Sequence, residues 1–92
     1  MMDTVIIHPR ILERHPELTE QDVLHAWDNC ISYRRRGDRD TDEDIAVGSD
    51  QNGRLIEVVA KQSADAWLLY HAKTPPSKKT LSELGLTGGR NE

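Results

Sequence analysis

The sequence predicts an α+β domain: a small antiparallel sheet of about four strands, two N-terminal helices packed on one face, and a short C-terminal helix. Three observations predict it. The β-branched run from Thr4 to Ile7 indicates a first strand. A helix start follows at Thr19, and an Asn-Gly turn ending at Gly53 joins two apolar runs as a hairpin. Helices that precede a meander of strands are typical of the α+β class.

The first helical segment is predicted to be short. Pro9 ends the first strand, and Ile11 and Leu12 lie among charged residues that suit one or two helical turns. The segment should close before Pro16, because the residue that precedes a proline disfavours the helical region.

The second helix has the clearest beginning in the chain. The Thr19 hydroxyl can cap it, and acids in the first turn, including Asp22, complement the helix dipole. We expect this helix to run to about Ile31. Its apolar face consists of residues at helical spacing: Val23, Leu24, Trp27, Cys30 and Ile31.

Residues 32–44 are predicted to form a loop of two opposite charge blocks. Three arginines, Arg34 to Arg36, precede a run of mostly acidic residues. Runs of this kind are usually solvated and mobile. Two other interpretations stay open: the loop is a docking surface for a partner, or its arginines grip phosphate despite the neighbouring acids.

The second half of the chain predicts the meander. A strand over Ile45 to Gly48, a turn over Asp50 to Gly53 and a strand over Arg54 to Ala60 form a hairpin. Ala66 to Lys73 is the fourth strand.

The C-terminal helix is predicted over Lys78 to Leu84. Ser77 can cap its beginning, and Gly85 ends it. One domain therefore covers residues 1–86, and residues 87–92 are expected to be a flexible tail.

Charge and composition limit the function classes. The net charge is −4, with −6 on residues 1–53 and +2 on residues 54–92. This balance excludes a uniformly basic nucleic-acid binder but allows a local basic site in the second half. The single Cys30 excludes an internal disulfide and fits a cytoplasmic location. No apolar run approaches the ~18 residues of a membrane span.

His71 and Lys73 are the most suggestive chemical residues. They share one face of the fourth strand, because side chains alternate with period two, and this is also the face of Trp67 and Leu69. An imidazole can transfer a proton near neutral pH, and a lysine can neutralise phosphate charge. The alternative is a strand end with ordinary polar residues at the surface.

Other residues could complete a site for binding or cleaving RNA. Arg54 opens the neighbouring strand, and Lys78 and Lys79 follow the last strand. Tyr70 could stack on a base, but it lies on the other face of its strand unless the strand bulges. The histidines and Cys30 have no zinc-motif spacing, so we expect neither a metal nor another cofactor. His8 and His15, each before a proline, are interpreted as turn residues.

The segment DEDIAVGSDQNGRLIEVVAKQSADAWLLYHAKTPPSKKTLSEL resembles the C-terminal half of BrnT-type toxins, which belong to the RelE/ParE superfamily. Gly48, Gly53, Arg54 and Leu55 match the family's strand–turn–strand motif. The sequence from Tyr70 to Thr74 stands where the family has its strand ending I-S-A-R, so that His71 replaces a serine and Lys73 replaces an arginine. The opening HPRILERHPELTEQDVLHAWDN is similar to that of related small domains.

The resemblance implies a RelE/BrnT-like fold and the toxin of a type II toxin–antitoxin system. Such a toxin is an endoribonuclease that cleaves mRNA, alone or with the ribosome, and is neutralised by a cognate antitoxin that is often a small DNA-binding protein. Here Arg54 and Lys73 would hold the phosphate and His71 would act as general acid or base. RNA would bind through Lys78, Lys79 and Tyr70. The alternative is a non-catalytic regulatory protein on the same fold that binds a partner protein.

Overall fold

The computed structural model describes residues 4–36, 43–63 and 65–86. Eight elements follow one another in these ranges: β1 (Thr4–Ile7), α1 (Pro9–Arg14), α2 (Glu20–Asp28), β2 (Cys30–Arg36), β3 (Glu43–Ser49), β4 (Leu55–Gln62), β5 (Ala66–Lys73) and α3 (Lys78–Glu83). The α+β class is confirmed. The predicted tail, residues 87–92, lies outside the described residues. None of the helices in the described ranges has the length and hydropathy of a membrane span.

The sheet has five strands in the order β1-β5-β4-β3-β2. The pairs β2–β3, β3–β4 and β4–β5 are antiparallel, whereas β1 is parallel to β5. The predicted sheet of about four antiparallel strands is therefore wrong in strand number and in the direction of β1. β1 joins the sheet beside β5, the last strand to appear in the sequence.

The additional strand is β2, which occupies a segment predicted to be the end of a helix and a charged loop. Helix α2 ends at Asp28, and Asn29 caps it. Arg36 then pairs with Glu43 at 2.9 Å on the neighbouring β3. The charges that suggested a solvated loop instead form ion pairs across the sheet. The rest of the predicted loop, residues 37–42, lies outside the described residues.

Helices α1 and α2 cover one face of the sheet, and the main hydrophobic core lies between them and β4 and β5. The predicted capping of α2 is confirmed: the Thr19 hydroxyl accepts a hydrogen bond from the Asp22 amide, and the Asp22 carboxylate accepts one from the Thr19 amide. The fully buried side chains in this core include Ile11, Val23, Ile56, Val58 and Leu69.

Gly48 is where α2 approaches the sheet most closely. A Cβ at this position would lie 1.9 Å from the Ala26 carbonyl oxygen. We expect Gly48→Ala to lower the free energy of unfolding by about 3 kcal/mol, because the clash involves backbone that cannot move without displacing α2. Thermal unfolding should show a drop in midpoint of roughly 10–20 °C.

Gly53→Ala is the control for this prediction. Gly53 has φ of +85° in the turn between β3 and β4, but no atom lies near its missing Cβ. Gly53→Ala should lower the free energy of unfolding by only about 1 kcal/mol, because alanine disfavours the left-handed conformation. Equal losses for the two variants would contradict close packing at Gly48.

A β-bulge in β5 decides which residues share a face. His71 pairs with Val59, but the next pair is Leu69 with Ala60, so Tyr70 is an extra residue. Leu69 therefore faces the core beneath the helices, while His71 and Lys73 lie on the opposite face, which α3 partly covers. The prediction that Leu69 and His71 share a face is wrong, because strict alternation fails at a bulge.

Candidate functional site

The centre of the candidate site is a hydrogen-bonded pair, His71 and Glu57. Nε2 of His71 lies 2.7 Å from Oε2 of Glu57. The Glu57 residue is 5% exposed, whereas the His71 side chain is 39% exposed. The other oxygen of Glu57 accepts a hydrogen bond of 2.8 Å from the Ser77 amide, and Thr80 also hydrogen-bonds to the carboxylate. A buried acid thus holds a half-exposed imidazole in one orientation.

The environment of Glu57 fixes its charge. Burial raises the pKa of Glu57, but the hydrogen bonds from His71, the Ser77 amide and Thr80 outweigh burial and lower the pKa to about 2. Glu57 is therefore a carboxylate at neutral pH and accepts the Nε2 proton of His71. Nδ1 of His71 is then the nitrogen that can take up a proton.

This shift predicts a specific loss of stability in acid. The folded-state pKa of about 2 lies below the ordinary 4.5, so Glu57 stabilises the fold above pH 4.5 and loses this contribution as the pH falls towards 2. We expect Glu57→Gln to be less stable than the wild type at pH 7, by on the order of 3 kcal/mol. The difference should shrink between pH 4.5 and pH 2 in urea unfolding. If the difference in unfolding free energy between the two proteins stays constant over this pH range, the stabilising role of the Glu57 carboxylate is contradicted.

A basic cavity of about 250 Å³, which we call the α1 cavity, opens beside His71. Arg10 and Arg14 line it from adjacent turns of α1, since residues four apart share a helix face. Both are exposed, and neither guanidinium forms an ion pair with any described residue. His15 lines the same cavity, and its Nδ1 lies 3.4 Å from Oε2 of Glu17.

The α1 cavity is thus lined by two histidines and two arginines. A role for Arg10 or Arg14 was not among the sequence predictions, in which His15 is only a turn residue. His15 does end α1, since its amide donates to the Ile11 carbonyl. The spacing of Arg10, Arg14 and His15 on a predicted helical turn was the signal that could have identified this basic face.

A second cavity, the α3 cavity, lies between α3 and the sheet and has a volume of about 310 Å³. Tyr70 and His71 line both cavities, so the bulged end of β5 separates them. Lys79 lines the α3 cavity, whereas Lys78 lines neither. The remaining lining residues are Arg36, Ile45, Glu57, Val59, Ser77 and Thr80.

Tyr70 is fixed in place by polar contacts. Its hydroxyl donates a hydrogen bond to Glu43, which also pairs with Arg36. Burial, followed by this hydrogen bond, raises the pKa of Tyr70 well above its ordinary value. The ammonium of Lys61 lies 5.6 Å from the centre of the Tyr70 ring. Tyr70 is therefore a neutral phenol with a constrained ring, and the bulge has brought it to the side of His71.

Arg54 lies apart from this group and lines neither cavity. Its guanidinium bonds to the Asp50 carboxylate at 2.8 Å and to the Asp22 carboxylate at 3.2 Å. Burial raises the pKa of Asp50, but hydrogen bonds from the backbone amides of Arg54 and Asn52 and from the Arg54 guanidinium lower it below its ordinary value. Arg54 therefore ties the β3–β4 turn to the start of α2, and its predicted role in phosphate binding stays a prediction.

Lys73 lies beyond His71 at the end of β5. Its Nζ donates a hydrogen bond of 3.3 Å to the Pro75 carbonyl, and it too lines neither cavity. Of the predicted site residues, the structure brings His71, Tyr70 and Lys79 together. Lys73 is near the end of the same strand.

Comparisons of the chain with protein-family models, with curated proteins and with solved structures gave no match. The resemblance to BrnT-type toxins therefore stays a prediction from short motifs.

Proposed function

We propose that this protein is a toxin-like endoribonuclease that cleaves mRNA without a metal ion, with its reactive centre at the α1 cavity. One observation carries the proposal: a buried carboxylate, Glu57, orients His71 beside a cavity that is also lined by Arg10 and Arg14, whose guanidinium groups form no ion pair with any described residue. A proton-transferring imidazole and phosphate-binding cations are the groups that phosphodiester cleavage by the RNA 2′-hydroxyl requires.

His71 is the general base in this mechanism. Its Nδ1 takes the proton of the 2′-hydroxyl while the 2′-oxygen attacks the adjacent phosphorus. The bond from phosphorus to the 5′-oxygen of the next nucleotide breaks, which leaves a 2′,3′-cyclic phosphate. Glu57 balances the charge of the imidazolium that forms.

His15 is the general acid. It faces the same cavity and can donate a proton to the departing 5′-oxygen, while the Glu17 carboxylate at 3.4 Å balances the charge of the protonated ring.

Arg10 and Arg14 bind the phosphate oxygens and stabilise the extra negative charge of the transition state. We assign this role to them rather than to Arg54, because two carboxylates already hold Arg54. Lys73 would guide the RNA towards the site.

Two incubations of the purified protein test the proposal: with mRNA alone in EDTA, and with mRNA and ribosomes in the Mg²⁺ that ribosomes require. We expect cleavage by the wild type and its loss in His71→Ala. His8→Asn is the matched control, because it removes an imidazole that lines neither cavity and replaces one helix-capping side chain by another. Absence of wild-type cleavage under both conditions, or equal cleavage by His71→Ala, would contradict the proposal.

A second candidate function is binding of a partner protein without catalysis, and the edge strand β2 favours it. Ile31 and Tyr33 on this strand are 62% and 48% exposed. An edge strand with exposed apolar side chains can accept a strand from a partner, such as a cognate antitoxin.

Expression in a host separates the two candidate functions. Growth arrest that depends on His71 favours the nuclease, and tight partner binding without arrest favours the second function.

A further inference from the structure

We propose that the α3 cavity binds the base of the nucleotide whose 2′-hydroxyl attacks, and that it prefers the keto bases guanine and uracil. The inference rests on the proposed function and specifies its substrate. The cavity, at about 310 Å³, lies within the ~300–1,000 Å³ of typical ligand sites.

The position of the α3 cavity suits a base next to the cleaved phosphate. Tyr70 and His71 are consecutive residues that line both cavities. A nucleotide that places its 2′-hydroxyl at His71 and its phosphate beside α1 would direct its base around the end of β5 into the α3 cavity. The bulge makes this possible, because it puts His71 on the face that α3 covers.

The lining of the cavity suits a flat aromatic ligand with polar edges. Ile45 and Val59 supply apolar surface from the sheet. The Tyr70 ring, fixed through its hydroxyl, supplies a surface on which a base can stack. Unpaired bases of single-stranded RNA bind proteins through this combination of stacking and hydrogen bonds at their edges.

Lys79 gives the cavity its preference among bases. The acidic groups around the cavity are already engaged: Glu57 bonds to His71 and to the Ser77 amide, and Arg36 is paired with Glu83 at 2.8 Å. The Lys79 ammonium forms no hydrogen bond with a described residue, and it can only donate. At C6 of a purine and C4 of a pyrimidine, guanine and uracil present a carbonyl oxygen to such a donor, whereas adenine and cytosine present an amino group.

The experiment measures binding of four dinucleotides that differ only in the first base and carry a 2′-O-methyl group on the first sugar, which blocks cleavage. We expect the wild type to bind the guanine and uracil forms about tenfold more tightly than the other two. Lys79→Ala should lose this preference. Lys78→Ala should keep the base preference, because this substitution removes the same charge from the same helix, and Lys78 does not line the cavity.

Two results would overturn the inference. In one, the wild type binds all four dinucleotides equally or binds none. In the other, Lys78→Ala and Lys79→Ala change the preference by the same factor, which would indicate a general effect of charge.

Cleavage of long mRNA by the wild type, measured in parallel, separates the two proposals. If long mRNA is cleaved without base preference, only the base site fails, and if nothing is cleaved, the proposed function fails as well.

Discussion

Glu57→Gln is expected to lower the rate of RNA cleavage about 10³-fold. The Ser77 amide and Thr80 donate to the carboxylate, so they hold the oxygen of a glutamine side chain in its place. The amide nitrogen would then face His71 and donate to Nε2, which forces the ring proton onto Nδ1. With its proton on Nδ1, His71 cannot accept the proton of the 2′-hydroxyl. Reversal of an imidazole tautomer in this way has large effects in hydrolases that depend on an acid–histidine pair.

Single-turnover cleavage of a defined RNA, with saturating enzyme, measures this effect separately from RNA binding. Glu83→Gln is the matched control, because it removes a carboxylate that pairs with Arg36 on the same side of the sheet and does not contact His71. Circular dichroism should show both variants folded at pH 7. A folded Glu57→Gln variant that cleaves RNA within twofold of the wild-type rate would contradict the role of Glu57.

Arg10→Gln combined with Arg14→Gln is expected to lower kcat/KM for RNA by about 10²-fold to 10⁴-fold, the product of the two single effects. Each single change should cost about 10-fold to 10²-fold, because each removes a cation that stabilises charge in the transition state. Both side chains are exposed, so the fold should be retained. The double variant should also show a weaker dependence of RNA binding on salt, since fewer phosphate contacts release fewer counterions.

The comparison variant for the arginine prediction is Arg34→Gln. Arg34 lies on the edge strand β2, its guanidinium donates a hydrogen bond of 3.3 Å to the Glu83 carbonyl, and it lines neither cavity. Its loss should change kcat/KM less than threefold. If Arg34→Gln lowers kcat/KM as much as either single change on α1, the effect comes from overall charge and the α1 site is wrong.

Local sequence signals predicted much of the fold. The limits of β1 and β5 match the prediction, as do the caps at Thr19 and Ser77 and the turn ending at Gly53. These features depend on side chains that act within a few residues: a capping hydroxyl, a β-branched run, or a glycine with positive φ. Such signals are visible in the sequence because the structure they produce is equally local.

The errors have a different physical origin. Strand β2 was missed because Cys30 and Ile31 continue the helical spacing of α2, while the ion pairs that hold its arginines come from β3 and α3. The bulge at Tyr70 was missed because register is set by the pairing of two strands. Neither the pairing of two strands nor the packing of α3 beside β2 can be read from the local pattern.

The candidate site was predicted only in part, for the same reason. His71 was recognised because an imidazole near the end of a strand has chemical meaning on its own. Glu57 was not singled out, although an acid inside the apolar run from Leu55 to Ala60 indicates a buried group with specific partners. Arg10 and Arg14 join the site only through tertiary packing of α1 beside β5.

The most direct test of the central claim is the chemistry of the product ends. RNA cleaved by the wild type in EDTA should carry 2′,3′-cyclic phosphate and 5′-hydroxyl ends, detected by mass spectrometry. The same RNA with a 2′-deoxy sugar at the cleavage position should stay intact, and His71→Ala should produce no such ends. Cleavage that continues at the 2′-deoxy position, or that leaves a 5′-phosphate, would show that His71 does not activate a 2′-hydroxyl and would contradict the account.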